Sequence, residues 1–222
     1  MITTLQAPLW IELLAAGLGG LQGALFAAGE RHRRIDVLGV VVIGLAVSLG
    51  GSLLRDILLN QPPVVIWSNG YLLVAGASAV LGMLVQRLLA RADWTLTALD
   101  AVVMGLFGAI GASKALALGA GEVGALVVGV VGAIGGGMLR DVILGLPLSF
   151  LQVGTLYAVA AGSGAGVLIL LVGLGTPVAV AGPVCVIVTA TVRLIAVRFE
   201  WRFPEQGPLR FRRRVGHSGE PV

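Results

Sequence analysis

Gly135-Gly136-Gly137-Met138-Leu139-Arg140-Asp141 decides how this chain folds, because the pattern has an earlier copy, Gly50-Gly51-Ser52-Leu53-Leu54-Arg55-Asp56. Each copy sets three helix-weakening residues and an adjacent Arg–Asp pair inside a long apolar run. At bilayer depth an ionisable group costs about 3 kcal/mol or more and marks a functional site by default. Glycine backbone is tolerated there only where protein buries it or where it lines a water-filled cavity. Both features, twice, at matching positions, imply a polar pathway through a membrane protein.

The rest of the chain agrees. Of 222 residues, 57% are hydrophobic and 12% charged, against about 25% charged in soluble domains. The mean hydropathy is +1.00. The 34 glycines are interleaved with Leu, Val and Ala, which suits close helix packing in lipid. Cys185 is the only cysteine, so an intramolecular disulfide is excluded. The net charge of +4 would suit nucleic acid, but the basic residues sit between and after apolar runs, where they control topology. No nucleic-acid partner is expected.

Seven apolar segments are long enough for a core of about 30 Å, which needs ~20 helical residues. They fall at about 9–29, 37–59, 70–90, 95–118, 122–146, 151–173 and 177–199. The first is not a signal peptide: no Lys or Arg precedes it, and Arg31, Arg33 and Arg34 follow it. Pro62-Pro63 and Pro147 stop the second and fifth spans. Trp10, Trp67, Trp94 and Trp201 stand at segment ends, where amphipathic rings prefer the headgroup level. The loops after spans 1, 3 and 5 and the C-terminus share one side, which holds Arg31, Arg33, Arg34, Arg87, Arg91, Arg198 and Arg202. The positive-inside rule puts that side in the cytoplasm and the N-terminus outside a cell inner (plasma) membrane. Residues 203–222 read as a basic cytoplasmic tail, an unstructured topology anchor before a lipid-binding element. Anionic lipid at the cytoplasmic arginines is its expected partner.

Residues 39–62 and 124–147 align at a shift of 85 with ten identities in 24 positions, including Gly44/Gly129 and Pro62/Pro147. Span 1 matches span 4 at a shift of 88, through Glu12/Asp100, Gly17/Gly105 and Gly23/Gly111. Spans 3 and 6 agree weakly at 84, through Gly70/Gly154, Leu72/Leu156 and Gly82/Gly166. Each repeat therefore has three spans, and an odd number inverts the second against the first. The predicted fold is an all-α membrane protein: seven transmembrane helices, two inverted three-helix repeats plus a seventh helix. Residues 1–202 form that domain, with repeat one at about 9–91, repeat two at about 94–173 and the extra helix at about 177–199. Paired glycine-interrupted segments are the usual pointer to a transport site.

Adjacent helical residues lie about 100° apart, so Arg55 and Asp56, or Arg140 and Asp141, should not pair face to face. Glu12 and Asp100 are the expected partners of Arg55 and Arg140. Gly50, Gly51, Ser52 and Gly135, Gly136, Gly137 weaken the helix by about 1 kcal/mol per glycine. They are expected to break it and turn carbonyl oxygens toward a cation, Ser52 adding a hydroxyl. Gly17, Gly23, Gly105 and Gly111 read instead as packing contacts. Lys114 divides evenly between snorkelling to the outer interface and a mobile cation in the path. Asp93 and Glu122 read as solvated caps. His32 and His217 lie in polar segments without a second ligand, and there is no zinc motif, Ser-His-Asp set or phosphate loop. An enzyme has no residues to stand on, and neither a cofactor nor a metal site is expected.

The doubled Gly-Gly-Gly/Ser-x-Leu-Arg-Asp motif, in a 3+3+1 frame headed by Glu12 and Asp100, resembles the prokaryotic TRIC (trimeric intracellular cation) channels. The resemblance covers all seven spans. It implies a homotrimer in which each protomer carries a pore for monovalent cations, chiefly potassium. Conducted potassium or sodium ions and, at most, bound lipid are the small partners expected. It also implies that bent spans 2 and 5 frame the pore, at Gly50, Gly51, Ser52 and at Gly135, Gly136, Gly137. Ser52 departs from the full glycine triplet, so the halves differ there. In animal members a lysine of span 4 is tied to voltage dependence, and Lys114 holds a similar place. Bacterial relatives carry a description suggesting glycine transport, so a secondary transporter of a small zwitterion is the second expectation. A membrane scaffold is a third, and it leaves the buried charges without a purpose. No Thr-Val-Gly-Tyr-Gly filter is present, so strong potassium selectivity is not expected.

Overall fold

Long apolar runs closed by proline and by left-handed turns give helices and, among the described residues, no strands. The computed structural model describes residues 7–30, 35–89, 93–151 and 156–201. In order the helices are α1 (Leu9–Gly29), α2 (Val37–Leu58), α3 (Val64–Trp67), α4 (Asn69–Leu89), α5 (Asp93–Ala117), α6 (Glu122–Leu144), α7 (Tyr157–Gly173) and α8 (Val178–Arg198). Six of these, α1, α2, α4, α5, α6 and α8, are long and apolar enough to cross a membrane. Their bounds fall within about two residues of the predicted spans. His32, His217, most of the cytoplasmic arginines and the basic tail lie outside the described residues.

The sixth predicted span is the one that changes. α7 has 17 residues and starts at Tyr157, not at 151. At 1.5 Å per residue it is about 26 Å long, slightly short of the hydrocarbon core. The stretch after Pro147 is used otherwise. Ser149 N donates to Asp141 Oδ2 at 2.8 Å, and Leu151 N closes a turn onto Leu148 O.

Helices α2 and α6 end alike. Asn60 (φ 51°) and Gly145 (φ 57°) both take the left-handed conformation that closes a helix. Gln61 N bonds Asp56 O at 2.8 Å, and Leu146 N bonds Asp141 O at 2.8 Å. These positions are related by the shift of 85, and a proline follows each.

Helices α1, α2 and α4 pack on one another, as do α5, α6 and α7; α2 meets α6, α1 meets α5, and α8 lies on α5 and α7. Large apolar side chains such as Leu73, Leu84, Val123, Leu170 and Ile187 stand exposed on the outside, as a lipid-facing surface requires.

The glycine clusters do not break their helices. Helical structure runs without interruption through Gly50-Gly51-Ser52 and through Gly135-Gly136-Gly137. A helix interior tolerates the glycine penalty when the missing side chain lets another helix come close, and that happens here. A Cβ on Gly51 would strike the carbonyl oxygen of Gly132, and one on Gly136 that of Val47. A Cβ on Gly50 would lie 3.3 Å from Gly136 Cα, and one on Gly135 3.2 Å from Gly51 Cα. Each contact becomes the other when one partner is shifted up by 85 and the other down by 85. The expectation of unpaired carbonyls is therefore corrected: Gly50, Gly51, Gly135 and Gly136 make the α2–α6 crossing, and Gly137 faces the Tyr157 hydroxyl of α7. Ser52 Oγ donates to Leu49 O of its own helix at 2.8 Å, so it does not reach into a path.

Gly23 and Gly111 are contact points as expected. A Cβ on Gly23 would lie 3.0 Å from Gly44 Cα, and one on Gly111 3.2 Å from Gly129 Cα. Gly17 faces Val74 of α4, whereas Gly105 faces Val186 of α8. The register of the third spans is also corrected. Gly44 approaches Ala79 and Gly129 approaches Ala165, a shift of 86 in place of 84.

Candidate functional site

The first charge cluster lies where α1, α2, α4 and α5 meet. Arg55 Nε donates to Asp56 Oδ1 at 2.8 Å, with both residues buried. Lys114 Nζ reaches the same oxygen from α5, also at 2.8 Å. The other oxygen, Oδ2, accepts from Val64 N at 3.0 Å and so holds the start of α3. Glu12 accepts a hydrogen bond from Tyr71 Oη. Arg55 Nη2 is buried with no hydrogen-bond partner among the described residues.

The second cluster repeats this plan between α5, α6 and α7. Arg140 Nε donates to Asp141 Oδ1 at 2.9 Å, and Asp141 Oδ2 accepts from Ser149 N. Asp100 Oδ1 accepts from Tyr157 Oη at 2.9 Å and from Gln22 Nε2 at 2.8 Å. The Arg140 guanidinium lies over the Phe26 ring, 4.0 Å from its centre. Arg193 of α8 places Nε 3.9 Å from Asp100 Oδ2, with its guanidinium 4.6 Å from the centre of the Tyr157 ring.

Two expectations are corrected by this geometry. Each motif arginine pairs with its own neighbour, because a long side chain can turn back across the 100° step that separates the two Cβ bonds. Glu12 and Asp100 take tyrosines as their hydrogen-bonding partners instead. Lys114 does not snorkel: its side chain is 17% exposed and is held in an ion pair with Asp56. Glu122, in the first turn of α6, is exposed, and the side chain of Asp93 lies outside the described residues.

Sequence inspection missed Tyr71, Tyr157, Gln22 and Arg193. For Arg193 a signal was available, since it stands within an apolar span and such a cation is a site hypothesis by default. The tyrosines gave none, because the match at 84 set them out of register. At 86, Tyr71 falls on Tyr157.

A cavity of about 220 Å³ opens beside the second cluster, lined by Gln22, Phe26, Asp100, Arg140, Tyr157 and Arg193 among others. Beyond Gln22, Asp100 and Tyr157 it adjoins a narrower space of about 10 Å³, bounded by Val47, Phe107, Gly136 and Gly137. That is near the least volume able to hold one water. Asp100 thus stands at a neck between a polar cavity and the α2–α6 crossing.

Known proteins resemble this chain in sequence and in fold. The family model described as "Glycine transporter" matches residues 9–87 and 97–173. A UPF0126 membrane protein of Deinococcus radiodurans is 34% identical over 170 residues, covering 76% of this chain and 78% of its own. The UPF0126 inner membrane protein YadS of Escherichia coli K12 is 31% identical over 199 residues, covering 88% of this chain and 94% of its own. Among solved structures, the TRIC orthologue of Rhodobacter sphaeroides superposes with TM-score 0.78 at 28% identity, over 86% of this chain and 97% of that one. A structure described as the basis for conductance through TRIC cation channels also gives TM-score 0.78, at 26% identity, over 87% of this chain and 96% of that one. With the doubled motif, the shared fold and these matches over most of its length, the chain belongs to the prokaryotic TRIC family of multi-pass membrane proteins.

Proposed function

We propose that the protein is a passive channel for monovalent cations, potassium first among them, with a path inside each protomer. The observation that carries this is Asp100 at the neck: a carboxylate on a polar cavity that narrows against the crossing of α2 and α6. A carboxylate there concentrates cations and replaces part of their hydration. Gly136 and Gly137 border the narrow space and Arg140 the cavity. Gly50, Gly51 and Gly135 set how closely the two helices approach. Arg55, Asp56, Arg140 and Asp141 form paired buffers of charge at the two clusters. Lys114, on Asp56, is the candidate voltage-sensitive group. The family's solved structures are described as cation channels, which supports the assignment.

The architecture proposed with it is two inverted repeats, α1–α4 and α5–α7, followed by α8. The reciprocal glycine contacts and the matched ends of α2 and α6 support this frame. The protein assembles as a homotrimer, in line with the name of its structural relatives, with the N-terminus outside the cell and the arginine-rich side in the cytoplasm. Recordings from purified protein in planar bilayers, with potassium replaced by sodium and then by a large organic cation, test conduction. Currents that persist with small cations and vanish with the large one support it. Silent bilayers containing verified folded protein contradict it.

One observation favours a second function. The cavity carries Asp100 beside Arg140 and Arg193, a lining of both signs that suits a small zwitterion, and the family description names glycine transport. Saturable uptake of labelled glycine into liposomes, driven by a proton or sodium gradient, would establish it over passive conduction.

A further inference from the structure

We infer that Arg193 is a tethered cation that competes with a permeating cation for Asp100. This role deepens the cation-channel proposal and rests on it. Each cluster holds two carboxylates, Glu12 with Asp56 and Asp100 with Asp141, and each has one motif arginine. A second cation joins each set and, with the carboxylates ionised, leaves the cluster without net charge, since an unbalanced buried charge is strongly unfavourable. In the first cluster that cation is Lys114, 2.8 Å from Asp56 Oδ1. The shift of 88 that carries Glu12 to Asp100 carries position 26 to position 114, and position 26 is Phe26. Phe26 offers its ring to Arg140 and brings no charge. The missing cation comes from α8, the helix outside the two groups of three, as Arg193.

Its contact with the carboxylate is longer than that of Lys114 with Asp56. Gln22 and Tyr157 both donate to Asp100 Oδ1, and Arg193 faces Oδ2 from 3.9 Å. In the same position the guanidinium lies 4.6 Å from the centre of the Tyr157 ring, an attraction that needs no carboxylate. Arg193 and Asp100 both line the cavity. A cation arriving there therefore meets Oδ2 already faced by a positive group that is tethered to the protein.

The test is conductance in planar bilayers at low and high potassium chloride for wild type, Arg193→Gln, Arg193→Lys, Asp100→Asn and Arg193→Gln with Asp100→Asn. Arg193→Gln should raise the potassium current about threefold or more at low salt, with the gain shrinking as salt screens the site. Arg193→Lys should stay near wild type, and in the Asp100→Asn background Arg193→Gln should bring a smaller gain, because no carboxylate is left to compete for. Equal currents in wild type and Arg193→Gln at every salt concentration, with wild type conducting, would overturn the role of Arg193 and leave conduction standing. Silence in folded wild type would overturn both. If Arg193→Gln does not fold alone, the neutral double variant decides. Asp100→Asn leaves Arg193 unopposed and should move the reversal potential toward that of chloride, the double variant should move it part of the way back, and equal potentials for these two variants would overturn the role.

Discussion

Lys114 crosses from α5 to α2 and sets its ammonium 2.8 Å from Asp56 Oδ1, the oxygen that Arg55 also holds. One carboxylate oxygen is thus shared by two cations from different helices. Lys114→Gln should cost about 1.5–3 kcal/mol, the usual worth of a hydrogen bond to a charged group. It should also change the voltage at which half-maximal current is reached. Thermal unfolding in detergent and a voltage-step recording check the two effects. A variant identical to wild type in both would remove Lys114 from any voltage-sensing role.

Asp56 and Asp141 each neutralise an arginine and hold the backbone eight residues on, at Val64 and Ser149. Replacing either by Asn leaves a guanidinium buried without its charge partner, a change worth about 3–5 kcal/mol. Asp56→Asn should be the worse of the two, because Lys114 loses its partner as well. Melting temperatures of the two variants in the same detergent would order them, and a variant as stable as wild type would contradict the pairing.

Much of this was legible in the sequence, and what was not has physical causes. Length and hydropathy placed six helices within about two residues, since a spanning helix leaves little freedom in its ends. The sixth span was misplaced because Leu148–Leu151 is apolar enough to resemble a span while its backbone serves Asp141. The repeats were readable in Gly, Arg and Asp, but the sense of the glycines was not. A glycine run weakens an isolated helix and strengthens a close crossing, and only the neighbouring helix decides between them. Arg55 and Arg140 were expected to reach other helices, yet their flexible stems allowed the nearer carboxylate to win. Tyr71 and Tyr157 escaped notice because their register differed by two residues from the match used.

The α2–α6 crossing gives a paired prediction. Gly51→Ala and Gly136→Ala each drive a methyl into the backbone of the facing helix, at Gly132 and Val47. Both should lower stability and current together, to similar degrees. Gly166→Ala meets nothing within 4 Å and should be neutral or stabilising by up to about 1 kcal/mol through helix propensity. Thermal melts and currents of the three proteins separate packing from propensity. Equal behaviour of Gly136→Ala and Gly166→Ala would sink the close crossing.

Tyr157→Phe removes one of the two donors to Asp100 Oδ1 and leaves Gln22. The expected loss is about 1–3 kcal/mol, with conduction altered because the carboxylate at the neck is less firmly oriented. Tyr71→Phe should disturb Glu12 in the same way at the first cluster. A double comparison, stability and single-channel amplitude for each variant, checks whether the two tyrosines are counterparts.

Conduction of cations past Asp100 is tested most directly by the reversal potential of purified protein under a tenfold potassium chloride gradient. The account predicts a potential of the sign that draws potassium down its gradient, approaching about 59 mV in magnitude for a perfectly cation-selective path. It further predicts that Asp100→Asn moves this potential toward zero. A reversal potential at zero, or one of the sign set by chloride, would contradict it.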